Sequence, residues 1–100
     1  MVNLSNINGF DWDDFNRDKN WQKHGVLWVE CEEVFFNEPV LLYFDDKHSN
    51  EESRFYALGR TDNKRDLFIV FTLRNDKIRV ISARDMNKKE KSQYEKYSKI

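Results

Sequence analysis

Two β-type runs, 67–74 (Leu-Phe-Ile-Val-Phe-Thr-Leu-Arg) and 78–84 (Ile-Arg-Val-Ile-Ser-Ala-Arg), are separated only by Asn75-Asp76-Lys77. A connection that short allows antiparallel pairing and little else, so the last third of the chain must contain a hairpin. Its arginines, Arg74, Arg79 and Arg84, stand near the turn and at the far end of one small sheet. Guanidinium groups fixed in that way suit anion chemistry, because their forked donors match phosphate oxygens and stay charged.

The rest of the chain is read outward from the hairpin. Residues 40–44 and 54–59 have strand character, with a polar loop over 45–52 and a turn over Thr61-Asp62-Asn63-Lys64. Four consecutive strands on short connections imply an antiparallel sheet. Upstream, Phe10-Asp11-Trp12 reads as extended, and Asp13 or Asp14 caps a helix that runs to His24 and stops at Gly25. Trp28, Cys31, Val34 and Phe35 recur on one face of a second helix that ends before Pro39, with Leu27 in place of a good cap. Asn87 and Glu90 form a capping-box pair for a C-terminal helix through Tyr94 and Tyr97. The expected fold is therefore α+β: a small antiparallel sheet of about four strands, two N-terminal helices and one C-terminal helix. Apolar helix faces are expected to cover one side of the sheet and leave the other side, or its rim, for a ligand. One domain over 1–100 is expected, with 1–9 frayed.

Composition narrows the partners. The net charge of −1 divides unevenly: residues 1–50 carry 4 basic and 10 acidic side chains (−6), residues 51–100 carry 13 and 8 (+5). That balance favours a local anionic site over a grip on long duplex DNA. No apolar run approaches the ~20 residues of a membrane span, and the polar start lacks the features of a signal peptide, so a cytoplasmic location and no membrane partner are expected. The single cysteine, Cys31, lies on an apolar helix face and reads as a core residue. Neither a glycine-rich phosphate loop, a Cys/His metal spacing nor a serine elbow is present, so no metal and no cofactor are expected.

The candidate site groups are Lys23, His24, His48, Arg54, Arg74, Arg79, Arg84 and Tyr94, with Lys88 and Lys89 as further cations. Each also has a structural reading. Lys23 and His24 suit a helix C-terminus, Arg54 can pair with Glu51 or Glu52, Arg79 follows strand alternation, and the lysines of the last helix make a solvated face. On the residues alone the reading stops at a small α+β domain with a candidate anion site.

Taken in order, Phe10-Asp11-Trp12-Asp13, Asn20, Lys23-His24-Gly25-Val26, Val34-Phe35, Pro39, Asp45-Asp46, His48-Ser49, Glu52, Arg54, Gly59, Phe71-Thr72, Arg74, the run 78–84, Glu90 and Tyr94 resemble the BrnT family of bacterial toxins over about residues 10–95. The resemblance implies a RelE-like fold and a metal-independent ribonuclease that cuts RNA by attack of its 2′-hydroxyl and blocks translation. It also implies a partner in a hetero-oligomer, a BrnA-like ribbon-helix-helix antitoxin, through which alone the pair meets DNA. In that reading Arg79 and Arg84 stabilise the phosphorane, Arg54 and Arg74 hold the RNA backbone, and His24 or His48 moves the proton. Lys23, Tyr94, Lys88 and Lys89 contact RNA. The chain departs from the family where Asp14 and Asn16 replace a frequent Pro and Lys, and where Leu27 replaces Ser or Thr. These departures and the acidic first half also admit a non-catalytic module that binds the antitoxin and modulates operon autoregulation.

Overall fold

A computed structural model describes residues 6–48 and 52–98, apart from the side chain of His48. Residues 1–5 of the expected frayed start, and Ser49-Asn50-Glu51 of the polar loop, lie outside the described residues. The order of elements is α1 (Asp14–His24), α2 (Trp28–Phe36), β1 (Leu41–Phe44), β2 (Arg54–Arg60), β3 (Asp66–Arg74), β4 (Lys77–Asp85) and α3 (Lys88–Ser98), with a 3-10 turn at Asp46–His48. The strands form one antiparallel sheet in the order β1-β2-β3-β4.

Local chemistry explains the boundaries. Asp13 accepts from the Asn16 amide at 2.9 Å while the Asn16 side chain accepts from the Asp13 amide at 2.7 Å, which closes the first turn of α1. Gly25, at φ 64°, ends that helix in the left-handed conformation that side chains with a Cβ disfavour. Leu27 has no acceptor to cap α2, but Glu30 reaches back to accept its amide at 3.0 Å. Asn87 and Glu90 cap α3 reciprocally at 2.8 and 2.9 Å. The hairpin turn is tighter than the three residues expected: Arg74 pairs with Lys77, leaving Asn75 and Asp76, both at positive φ, as a two-residue turn. Asn and Asp tolerate that region, and its backbone twist matches that of the flanking strands.

The sheet has two different faces. Phe55, Ala57, Leu67, Ile69, Phe71, Ile78, Val80 and Ala83 point to one side and form the main core with Val26, Cys31 and Val34 beneath α2. The opposite face carries Arg54, Tyr56, Leu58 and Phe68, and here the layering differs from the expected one. Tyr94 of α3 packs with Leu58 and Met86, against Leu41, Tyr43 and Phe68, so α3 covers one end of the face that was expected to be open. The apolar residues Leu41, Leu58 and Phe68 on that face need covering, and Tyr94 supplies the cover.

α1 lies on neither face but along the outer edge of β4. Asn16 Nδ2 donates to the Val80 carbonyl at 3.3 Å, Lys19 Nζ to the Ile81 carbonyl at 3.2 Å, and Asn20 Oδ1 accepts from the Ala83 amide at 3.0 Å. The polar stripe of α1 thus satisfies the edge strand's unpaired backbone groups. The N-terminal segment adds to the same region: Asn8 donates to Asp76, and Gly9 accepts from Ile78. Asn8 and Gly9 are therefore tied to the hairpin, although 1–9 was expected to fray.

Candidate anion-binding site

Strand register places the site. Arg54 of β2 stands opposite Thr72 of β3, and Thr72 stands opposite Arg79 of β4, so the three form one row across the part of the sheet that α3 leaves uncovered. Successive partners in such a row are about 5 Å apart, which sets the two arginine Cα atoms roughly 10 Å apart with Thr72 between them. A phosphate group fits between two long guanidinium side chains on that spacing. Arg74, two residues beyond Thr72 on the same face of β3, completes the group.

An open cavity of about 140 Å³ sits over this row, lined by Arg54, Thr72, Arg74, Arg79, Glu52 and the α1 side chains Phe15, Asn16 and Lys19, with Val80 and Ile81. Among these lining residues four cationic groups face one carboxylate, which makes the cavity a candidate anion seat. Thr72 is buried under it and its hydroxyl donates to the Ser53 carbonyl at 2.6 Å, which pins the chain entering β2. Arg74 Nη2 lies 3.4 Å from Glu52 Oε2. Arg79 Nη2 donates to Asp13 Oδ2 at 2.8 Å and its Nη1 lies 3.5 Å from Asp11 Oδ1. The Asn16 amide and then the Arg79 guanidinium hold the Asp13 carboxyl below the usual carboxylate range. These two contacts leave further donors of the five on the Arg79 guanidinium.

Beside the seat runs an aromatic row. Tyr43 stacks on Tyr56 with ring centres 4.8 Å apart, and Tyr56 on Phe68 at 5.4 Å. The Arg84 guanidinium closes the row, 4.2 Å from the Phe68 ring centre.

The remaining candidates go elsewhere. Arg84 stands opposite Phe68, four residues along β3 from Thr72, which is roughly 13 Å from the Arg79 position. Its guanidinium grips Glu90 through two bonds of 2.8 and 2.9 Å, and this bond holds its own pKa up. Arg84 thereby joins β4 to the start of α3 and does not line the seat. Tyr94 is buried in the second core cluster and its hydroxyl donates to the Pro39 carbonyl at 2.8 Å. His24 ends α1 with an exposed side chain, and its carbonyl accepts from Arg65. Lys23 lies on the outer surface of α1 among Asp14, Asp18 and Gln22. Lys88 and Lys89 are exposed on the first turn of α3. His48 ends the 3-10 turn, and its side chain lies outside the described residues.

Lys19, Glu52 and Thr72 were not singled out by sequence reasoning. A signal for Lys19 existed: Asn16, Lys19 and Asn20 recur at helical spacing, a polar stripe that α1 turns towards β4. Glu52 stood among the residues that resemble the family, but its place beside Arg74 follows from the β2–β3 register, which residue type does not give.

The structure is a small α+β domain whose antiparallel sheet presents a cluster of arginines beside stacked aromatics. The chain belongs to the BrnT family, described as "Ribonuclease toxin, BrnT, of type II toxin-antitoxin system", whose model matches residues 12–90. Its fold is similar to that of the Brucella abortus ribonuclease toxin BrnT, known from a 1.1 Å crystal structure. That likeness has a TM-score of 0.60 at 20% identity and covers 80% of this chain and 97% of the other. No curated protein matches the sequence. The α+β class expected from the sequence, with four antiparallel strands between two helices and a third, is the fold observed.

Proposed function

We propose that this chain is an active endoribonuclease which seats a phosphodiester of single-stranded RNA over Thr72 and cleaves it by attack of the neighbouring 2′-hydroxyl. The observation that carries this reading is the convergence of Arg54, Arg74, Arg79 and Lys19 on one open cavity. Cleavage passes through a crowded phosphorane whose extra negative charge must be met by fixed cations, and three guanidinium groups on neighbouring strands provide them. The same groups supply the charge neutralisation that a divalent ion would supply in other nucleases, which supports a metal-independent reaction. The Asp13 carboxylate on Arg79 is displaceable, because a phosphate oxygen offers the guanidinium an equivalent acceptor. Tyr56, two residues from Arg54 on the same strand face, brings the aromatic row beside the seat, where unstacked bases flank the backbone.

The wider setting follows from the family. In this reading the toxin acts in the bacterial cytoplasm, its RNA cleavage blocks translation, and a BrnA-like ribbon-helix-helix antitoxin neutralises it and carries the pair to operator DNA.

The purified chain is expected to cut RNA in EDTA and to leave 2′,3′-cyclic phosphate ends. Arg79→Ala is expected to lower the cleavage rate by about 100-fold or more with the fold retained by circular dichroism. Chelator-sensitive cleavage would overturn metal independence, and a folded Arg79→Ala protein of unchanged rate would remove Arg79 from the seat. The non-catalytic adaptor reading draws on one observation, the engagement of Arg79 by Asp11 and Asp13. Induction of the chain alone separates the two readings, since a nuclease arrests growth and an adaptor does not.

A further inference from the structure

Resting on the nuclease reading, we infer that Glu52 is the general base that activates the 2′-hydroxyl and that Lys19 is the acid that protonates the leaving 5′-oxygen. Of the described residues lining the cavity, the arginines and Lys19 are cations, Asn16 is an amide, and the Thr72 hydroxyl is committed to Ser53. The Glu52 carboxylate is the one anionic group among the described lining residues, and an ionised carboxylate only accepts hydrogen bonds. Its placement is otherwise a puzzle, because a negative charge in a phosphate seat repels the ligand the seat is built for. Arg74, 3.4 Å away, holds it at the rim.

In-line displacement needs the attacking and leaving oxygens on opposite sides of phosphorus, and therefore the base and the acid on opposite sides of the seat. The fold gives that arrangement. Glu52 enters from the β2 side, Lys19 from α1 beyond β4, and β3 with Thr72 runs between them. In the step, the 2′-hydroxyl proton passes to a Glu52 oxygen as the O2′–P bond forms. The P–O5′ bond breaks, the 5′-oxygen takes a proton from the Lys19 ammonium, and the products are a 2′,3′-cyclic phosphate and a 5′-hydroxyl. Glu52 then returns its proton, and Lys19 regains one, by exchange with solvent.

The test measures single-turnover cleavage of a mixed-sequence single-stranded RNA, first mapped with the wild-type protein, as a function of pH. Glu52→Gln is expected to lose about 100-fold or more in rate, to bind the RNA as tightly or more tightly, and to lose the acidic limb of the pH profile. Formate should partly restore the rate of Glu52→Ala. Lys19→Ala should be slow on ordinary RNA and recover on RNA with a 5′-bridging sulfur, a leaving group that needs no proton, whereas Glu52→Gln should not recover on it.

Glu52→Gln within threefold of wild type, weaker binding at an unchanged rate, or absence of formate rescue would overturn the assignment of Glu52. Loss of the acidic limb in a His48→Ala variant, with the limb kept in Glu52→Gln, would do the same. Failure of the sulfur substrate to rescue Lys19→Ala would overturn the acid. A wild-type chain that cuts no RNA would instead overturn the nuclease reading, and this inference with it.

Discussion

Arg79 and Arg84 lie on one strand and have different surroundings, and residue type alone gives no means of separating them. Strand alternation would put them on opposite faces, because they are an odd number of positions apart. The register shift at Val70/Phe71 inserts an extra residue in β4 and returns Arg84 to the Arg79 face. There the Phe68 ring and Glu90 capture it, while Arg79 stays beside the cavity. A bulge of this kind leaves no trace in a run such as Ile-Arg-Val-Ile-Ser-Ala-Arg, and neither does the pairing with Glu90 that keeps Arg84 from the site it was expected to share with Arg54, Arg74 and Arg79. Cys31 was more legible, since its apolar helical spacing placed it in the core, where burial pushes its thiol up to about 12. The native protein is expected to be inert to a disulfide exchange reagent at pH 8 and to react with one equivalent once unfolded in guanidinium. Rapid modification of the folded chain would show that the α2 core opens.

At the scale of elements, the sequence announced nearly every boundary, because each rests on local chemistry: the Asp13 and Asn87 caps, the Gly25 stop, and the Asn75-Asp76 turn. It did not announce how the elements pack, because that depends on pairs distant in sequence. The approach of α2 to β2 is one such pair. A Cβ on Gly59 would lie 2.5 Å from Val34 Cγ1 and 3.4 Å from the Val34 carbonyl oxygen. Val34 is fully buried, so its methyl group has little room to give. Gly59→Ala is expected to cost about 1–3 kcal/mol, read as a lowered denaturant midpoint at an unchanged slope, whereas Gly25→Ala meets no atom and is strained only by its positive φ. A Gly59→Ala protein as stable as wild type would mean that α2 can lift from the sheet freely.

Across the whole molecule, ion pairs join elements that are separate in sequence. Arg65 donates to Asp85 at 2.7 Å, to the Gly25 carbonyl at 2.8 Å and to Glu30 at 3.2 Å, which joins the end of α1, the start of α2 and β4. Arg84 and Glu90 join β4 to α3. The Arg65 side chain lowers the Asp85 carboxyl. Burial alone would raise Glu90, but the Arg84 side chain and the Asn87 amide outweigh it, and its carboxyl is lowered too. Both groups are depressed in the folded state, so their stabilisation is fully present above the unfolded carboxylate values near pH 4 and is lost as pH falls through the lower folded values. Thermal unfolding is therefore expected to show a falling Tm below about pH 4.5, with a shallower fall in Glu90→Gln. An equal fall in that variant would place the acid sensitivity elsewhere.

One arrangement already described governs how copies of this chain behave towards each other. A rim strand with bare amides and carbonyls is a template on which a neighbour's strand can grow, the first step towards fibres. The carboxamides of Asn16 and Asn20 and the Lys19 ammonium occupy that template along β4. What remains open at the far rim is β1, four residues long, too short a scaffold to propagate a stack. The chain is thus guarded against self-assembly by the same helix that supplies one wall of its cavity.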